Sequence, residues 1–143
     1  MGARREGREA AVQFLYQRDL NVGANAETVE DFWELRPAAK KVREFGMAIA
    51  EGVLAHQADI DERIRQAASN YDLHRIAAVD RNILRIAIYE MLYCPDVPPV
   101  VSINEAIEIA KRFGSDESGR FVNGILDRIR GELVRPARVA KTE

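Results

Sequence analysis

Three arginines, Arg4, Arg5 and Arg8, stand at the start of the first helix that the sequence predicts. The helix dipole disfavours cations at an N-terminus, so arginines at this position favour a role in binding an anion. Arg4 and Arg8 are four residues apart and would share one face of the helix. The chemistry that they could do is phosphate binding, and the alternative is a basic chain end that is only solvated.

A second candidate site lies where Arg120 and Phe121 begin the last predicted helix, close to Glu117. An arginine beside a half-buried aromatic ring can contact a phosphate of RNA while the ring stacks on a base. The alternative for Phe121 is packing in the core with Ile125, four residues later. The spacing alone fits both interpretations.

The remaining reactive side chains do not form a catalytic site. His56 and His74 lack the spacing of a metal-binding pair, and the single cysteine, Cys94, excludes an internal disulfide and a cysteine-rich zinc site. No glycine-rich phosphate loop is present. Because no nucleophile, base and orienting group can be combined, we expect a protein that is not an enzyme and that needs neither a metal nor a cofactor.

The composition is typical of one globular domain. The chain has 143 residues, of which 47% are hydrophobic and 31% charged, and its net charge of −2 excludes a strongly basic protein that coats nucleic acid. Positive charge is nevertheless in excess by two in each of the segments 1–18 and 127–143, which leaves the middle of the chain acidic. No apolar run is long enough to span a membrane, and no secretion signal is recognisable, so we expect a cytoplasmic protein.

Apolar residues recur at helical spacing along the chain, and no segment alternates with the period of a strand. This pattern predicts an all-α protein. The predicted helices are 5–21, a short helix with Val29, Phe32 and Trp33, 38–55, a helix with Ile60, Ile64 and Ala67, 78–93, 102–113 and 117–134. The segment 78–93 is apolar nearly all round, so we expect it to be the buried central helix of the second half.

Local signals predict several helix ends. Ser102 and Glu105 have the spacing of a capping box, in which each side chain accepts from a free backbone amide at the helix start. Gly114 is placed to end the same helix in the left-handed conformation. Pro37 and Pro136 are expected to end the second and the last helix.

Several sequence blocks, in this order, match a known family over most of the chain, with only 23–72 weakly matched. The blocks are REAAVQFLY (8–16), VDRNILRIAIYE (79–90), VP (97–98), INEAIEIAK (103–111), FG (113–114) and FVNGILD (121–127). On these blocks the chain resembles the NusB family of bacterial transcription antitermination factors.

The resemblance implies about seven helices in two roughly perpendicular bundles. It implies one domain, with an N-terminal half at about 1–70, a C-terminal half at about 71–135 and a frayed tail at 136–143. It also implies binding to boxA RNA, an element of ribosomal RNA operon leader transcripts, together with NusE, a small-subunit ribosomal protein. The two proteins would then join the RNA polymerase elongation complex and promote antitermination.

The resemblance also assigns site residues. The RNA-facing set is Arg4, Arg5, Arg8, Glu117, Arg120 and Phe121. The NusE-facing pair is Tyr16 and Asp80, a hydroxyl and a carboxylate that suit basic or histidine partner groups. Tyr16 and Asp80 could adjoin only if the first helix packs against the central helix.

We call the segment with Arg4, Arg5 and Arg8 the basic arm. Its sequence departs from the family pattern Arg-Arg-x-Ala-Arg. Here Glu6 dilutes the positive charge, and Gly7 costs about 1 kcal/mol of helix stability relative to alanine.

Two alternatives also stay open for the whole chain. One is an RNA-binding module of the kind fused to rRNA cytosine methyltransferases, although no methyltransferase segment is expected here. The other is a helical homodimer in the free state, in which each basic arm is buried against the twin subunit.

Overall fold

The structure, a computed structural model, describes residues 2–21, 28–69 and 71–142, with the backbone alone from residue 134 onward. The described residues form seven α-helices and one 3-10 turn, at Leu73–Arg75, without any strand. The helices are α1 (Ala3–Leu20), α2 (Val29–Glu34), α3 (Lys40–Ala55), α4 (Gln57–Ala67), α5 (Ala78–Tyr93), α6 (Pro99–Phe113) and α7 (Ser118–Thr142). The predicted all-α class with seven helices is confirmed.

Helix α5 lies between two bundles of helices. In the first bundle α1 packs against α3, which also contacts α2, and in the second α6 packs against α7. Helix α5 contacts α1, α3, α4, α6 and α7, and its residues from Asn82 to Ile88 are all buried. The apolar side chains of both bundles form one continuous core, as expected for a central helix that is apolar on nearly every side.

Helices α1 and α3 approach each other closely at two glycines. A Cβ atom added to Gly7 would lie 2.8 Å from a ring carbon of Phe45, and one added to Gly46 would lie 2.8 Å from the ring of Trp33. The departure from the family pattern at Gly7 therefore has a packing reason. Glycine lowers the helix propensity of α1 at this position, but it lets the backbones of α1 and α3 approach each other. A larger residue would push the two helices apart.

The predicted capping box at Ser102 and Glu105 was wrong. Helix α6 begins three residues earlier, with Pro99 at its first position, where the fixed φ of proline suits a helix and its missing N–H costs nothing. Ser102 lies within the helix, and its buried hydroxyl has no hydrogen-bond partner among the described residues. Glu105 therefore does not cap the helix start. Its carboxylate instead accepts hydrogen bonds from Arg5 of α1.

Two other helix ends also differ from the predictions. Gly114 does end α6, but with φ −95° and ψ −168°, an extended conformation rather than a left-handed one. A Cβ there would clash with the Ser118 side chain, so close packing explains the glycine. The backbone of α7 continues through Pro136 to Thr142, so Pro136 does not end the helix as predicted. The fixed φ of proline is compatible with a helix, although its ring removes one backbone hydrogen bond and crowds the preceding turn. Among the described helices, none combines the length and the apolar character needed to cross a membrane.

Candidate nucleic-acid interface

The three arginines of α1 lie in three different environments. Arg4 is exposed, and its guanidinium lies 5.2 Å from the centre of the Phe45 ring. Arg5 is partly exposed and Arg8 is buried. The sequence predicted one basic arm made of all three arginines. In the structure only Arg4 and part of Arg5 lie at the surface.

Arg8 forms a buried ion pair with Glu90 of α5. Its Nε and Nη2 donate to the Glu90 carboxylate at distances between 2.9 and 3.2 Å, and the side chains are only 4% and 1% exposed. Two neighbouring charges buried this deeply satisfy each other. A direct contact between Arg8 and a phosphate would require the guanidinium to leave Glu90.

Arg5 pairs with Glu105 of α6 nearer the surface. Nε of Arg5 donates to Oε1 of Glu105 at 2.8 Å, and Nη2 donates to Oε2 at 2.7 Å. These hydrogen bonds, with the positive charge of Arg5 close by, hold the pKa of the Glu105 carboxyl below its usual value. For the same reason the pKa of the Arg5 guanidinium lies above its usual value. Both groups therefore stay charged at neutral pH.

Phe121 and Arg120 line a groove at the start of α7. The groove has a volume of about 410 Å³, and its walls are Tyr71, Arg75, Ile76, Ala77, Asp80, Glu117, Arg120 and Phe121. Phe121 is half-buried and meets Tyr71 edge to face, with 5.3 Å between ring centres. Both sequence interpretations of Phe121 thus describe part of its environment: it packs against the core and it also faces the groove.

Arg120 stands between this groove and a neighbouring one. The second groove, of about 460 Å³, is lined by Ile107, Lys111, Gly114, Ser115, Asp116, Gly119, Arg120 and Asn123. The Arg120 side chain is 88% exposed, and its only ion-pair contact among the described residues is Glu117 at 3.7 Å. An exposed pair of this kind contributes little stability, so Arg120 can bind an anion at little cost. Lys111, which the sequence did not single out, adds a second cation.

Asp80 and Tyr16 lie on helices that do pack together, as their proposed pairing requires. Tyr16 is half-buried on α1. Asp80 is buried near the start of α5, and no described residue forms a hydrogen bond with its Oδ1. Asp80 also lines the groove of Phe121 and Arg120, whereas Tyr16 does not. The structure therefore brings Asp80 together with the residues expected to face RNA.

Comparison with known proteins agrees with these features. The sequence model of the NusB family matches residues 5–130. The chain is 44% identical over 140 residues to the transcription antitermination protein NusB of Myxococcus xanthus, an alignment that covers 95% of this chain and 100% of the relative. The chain belongs to the NusB family.

Solved structures support the membership. T. maritima NusB shares 39% identity with this NusB-family chain and superimposes with a TM-score of 0.81, over 90% of this chain and 91% of that one. The complex of the antitermination factors NusB and NusE with dsRNA gives a TM-score of 0.77 at 26% identity, over 90% of this chain and 96% of that one. The protein in that complex binds both NusE and RNA.

A buried ionic network, which the sequence did not reveal, holds the start of α5 in this NusB-family chain. The carboxylate of Asp19, on α1, accepts hydrogen bonds from Arg81, Asn82 and Arg85. Arg85 also donates to both oxygens of Asp61 on α4. Burial by itself would raise the pKa of Asp19, but the hydrogen bonds and the charge of Arg85 outweigh it and lower the pKa. The network fixes α5, and with it Asp80, against α1 and α4.

Proposed function

We propose that this protein is a transcription antitermination factor that binds boxA RNA of ribosomal RNA operon leaders together with NusE and joins the RNA polymerase antitermination complex. Its membership of the NusB family supports the proposal, as does its likeness to a NusB that binds NusE and dsRNA. The observation that carries it is one surface on which exposed arginines lie beside a half-buried aromatic ring that lines a groove.

In this proposal the RNA lies over α6, between the start of α1 and the start of α7. Arg4, Arg5 and Arg120 contact phosphates, and Phe121 stacks on a base next to Tyr71. Stacking on an aromatic ring contributes about 1–3 kcal/mol per base, while cations supply the part of the affinity that depends on salt. Glu117 limits the positive charge at Arg120, and Arg8 supports the arm from within the core.

NusE binds at Tyr16 and Asp80, beside the RNA groove. Asp80 lines this groove, and an N–H donor of a basic protein would form a charge-assisted hydrogen bond with its carboxylate. Because Asp80 lines the same groove as Phe121, NusE and RNA would meet there. This arrangement gives a physical reason for the two partners to bind together.

The protein acts in the cytoplasm, where its RNA and ribosomal partners are, and as a binding factor rather than as an enzyme. A second candidate for the free state, which the sequence analysis left open, is a homodimer that covers the RNA-binding face. Light scattering after size exclusion, with and without RNA, tests this state: RNA should shift a dimer to a monomeric complex, and a dimer that persists with RNA bound would contradict the proposal.

The function is tested by titrating labelled boxA RNA with the protein, with NusE, and with both together. The proposal predicts the tightest binding with both proteins, and weaker binding of an RNA of the same composition in scrambled order. Equal affinity for both RNAs, or no complex with NusE, would show that the function is different.

A further inference from the structure

Four charged side chains form a continuous row from the surface into the core, and we call this row the charge ladder: Arg5, Glu105, Arg8 and Glu90. Arg5 and Glu105 are 29% and 19% exposed, whereas Arg8 and Glu90 are buried. Nη1 of Arg8 lies 3.8 Å from Oε1 of Glu105, which joins the two ion pairs. The ladder ties α1 to both α5 and α6.

Glu105 binds one particular edge of Arg5. The contacts run from Nε and from Nη2, so they use two of the five N–H donors of the guanidinium. The Nη1 group and the second hydrogen of Nη2 lie at the other end of the guanidinium, where they meet no acceptor in the part of the chain that the structure describes. Three donors of one rigid, planar group can therefore still meet a phosphate.

We propose that Glu105 is a positioning residue for RNA binding, which holds Arg5 so that its remaining N–H edge faces a phosphate. An arginine at the first turn of a helix has many rotamers, and fixing it before binding removes an entropy cost of association. Glu90 holds Arg8 in the same way, and Arg8 in turn supports Glu105 from the buried side. This inference rests on the proposed function, because it concerns how the same surface binds RNA.

The opposite interpretation is that Glu105 competes with RNA for Arg5. A carboxylate near a phosphate site repels it, and removal of that carboxylate would then tighten binding. The two interpretations differ in the sign of one measurement. Glu108 provides the matched control, because its charge also acts on Arg5 while its own ion-pair contact is with Lys111.

The experiment measures the affinity of boxA RNA, in the presence of NusE, for the wild type, Arg5→Ala, Glu105→Gln and Glu108→Gln at several salt concentrations. Glu105→Gln should weaken binding by up to about tenfold, the effect of one charge-assisted hydrogen bond. It should also flatten the slope of log K against log salt by up to about 0.7. Glu108→Gln should bind as tightly as the wild type or slightly more tightly. In Arg5→Ala, the further change Glu105→Gln should have no additional effect.

Equal or tighter binding by Glu105→Gln, with Arg5→Ala weakened, would overturn the inference and leave the proposed function intact. A wild type that does not bind the RNA would instead refute the proposed function.

Circular dichroism shows whether each variant is folded. Glu105→Asp serves as a second variant that keeps the charge but shortens the side chain. Its affinity should fall between those of the wild type and Glu105→Gln, and an affinity below that of Glu105→Gln would contradict the positioning role.

Discussion

Replacing Arg8 by alanine should destabilise the fold more than it affects any surface contact. The change leaves the Glu90 carboxylate, 1% exposed, without the guanidinium that satisfies it. Breaking a buried ion pair from one side costs about 3–5 kcal/mol. For a domain of this size that corresponds to a decrease of about 10–20 °C in melting temperature.

Thermal unfolding followed by circular dichroism measures this effect, and Arg4→Ala is the matched control. Both guanidinium groups lie 5.2 Å from the centre of the same Phe45 ring, but Arg4 is exposed. Arg4→Ala should therefore keep its melting temperature and lose RNA affinity. Replacing both ladder partners, as Arg8→Met with Glu90→Leu, should recover most of the stability, since an apolar pair of similar volume often substitutes for a buried ion pair. A melting temperature within about two degrees of the wild type for Arg8→Ala, with weakened RNA binding, would refute the reasoning and make Arg8 an RNA ligand.

Three further predictions follow from the groove and the ionic network. Phe121→Ala should weaken RNA binding by about 1–3 kcal/mol with an unchanged salt slope, whereas normal affinity with a large loss of thermal stability would assign Phe121 to the core. Asp80→Asn should weaken NusE binding about tenfold through the loss of a charge-assisted hydrogen bond, as measured by calorimetry, and unchanged affinity would place the NusE interface elsewhere. Asp19→Asn should lower the free energy of unfolding by about 1–3 kcal/mol at neutral pH. Because the folded pKa of Asp19 is lowered, its contribution is present above the unfolded pKa and is lost as the pH falls through the folded value. Urea unfolding should therefore show a gap between Asp19→Asn and the wild type that narrows below about pH 4, and a constant gap would mean that the carboxylate charge is not involved.

The helices could be predicted from the sequence because their apolar spacing is a local signal. The central position of α5 followed from residues that are apolar nearly all round, and it is confirmed. Helix ends were harder to predict because two local signals can compete. At α6 the serine and glutamate of a capping box were present, but Pro99 already fixed an earlier start.

The environments of the arginines could not be predicted, because they depend on residues far away in the chain. Arg8 binds Glu90, which is 82 positions away, and Arg5 binds Glu105, which is 100 positions away. Glu105 does not differ in sequence from a glutamate on a solvated helix face. Glu90 stands in a helix that is apolar nearly all round, which indicates burial but does not identify its partner. The groove that Asp80 and Phe121 share also depends on how distant helices pack. The sequence therefore indicated both residues as site residues but could not predict that they lie together.

The central claim is that the surface from the start of α1 to the start of α7 binds boxA RNA through cations. It is tested most directly by the salt dependence of boxA RNA binding, with NusE present, for the wild type and for the double variant Arg4→Ala with Arg120→Ala. Both side chains are exposed, so the variant should fold normally. The account predicts weaker binding and a slope of log K against log salt that is flatter by up to about 1.4, from two lost phosphate contacts. An unchanged affinity and slope would contradict it.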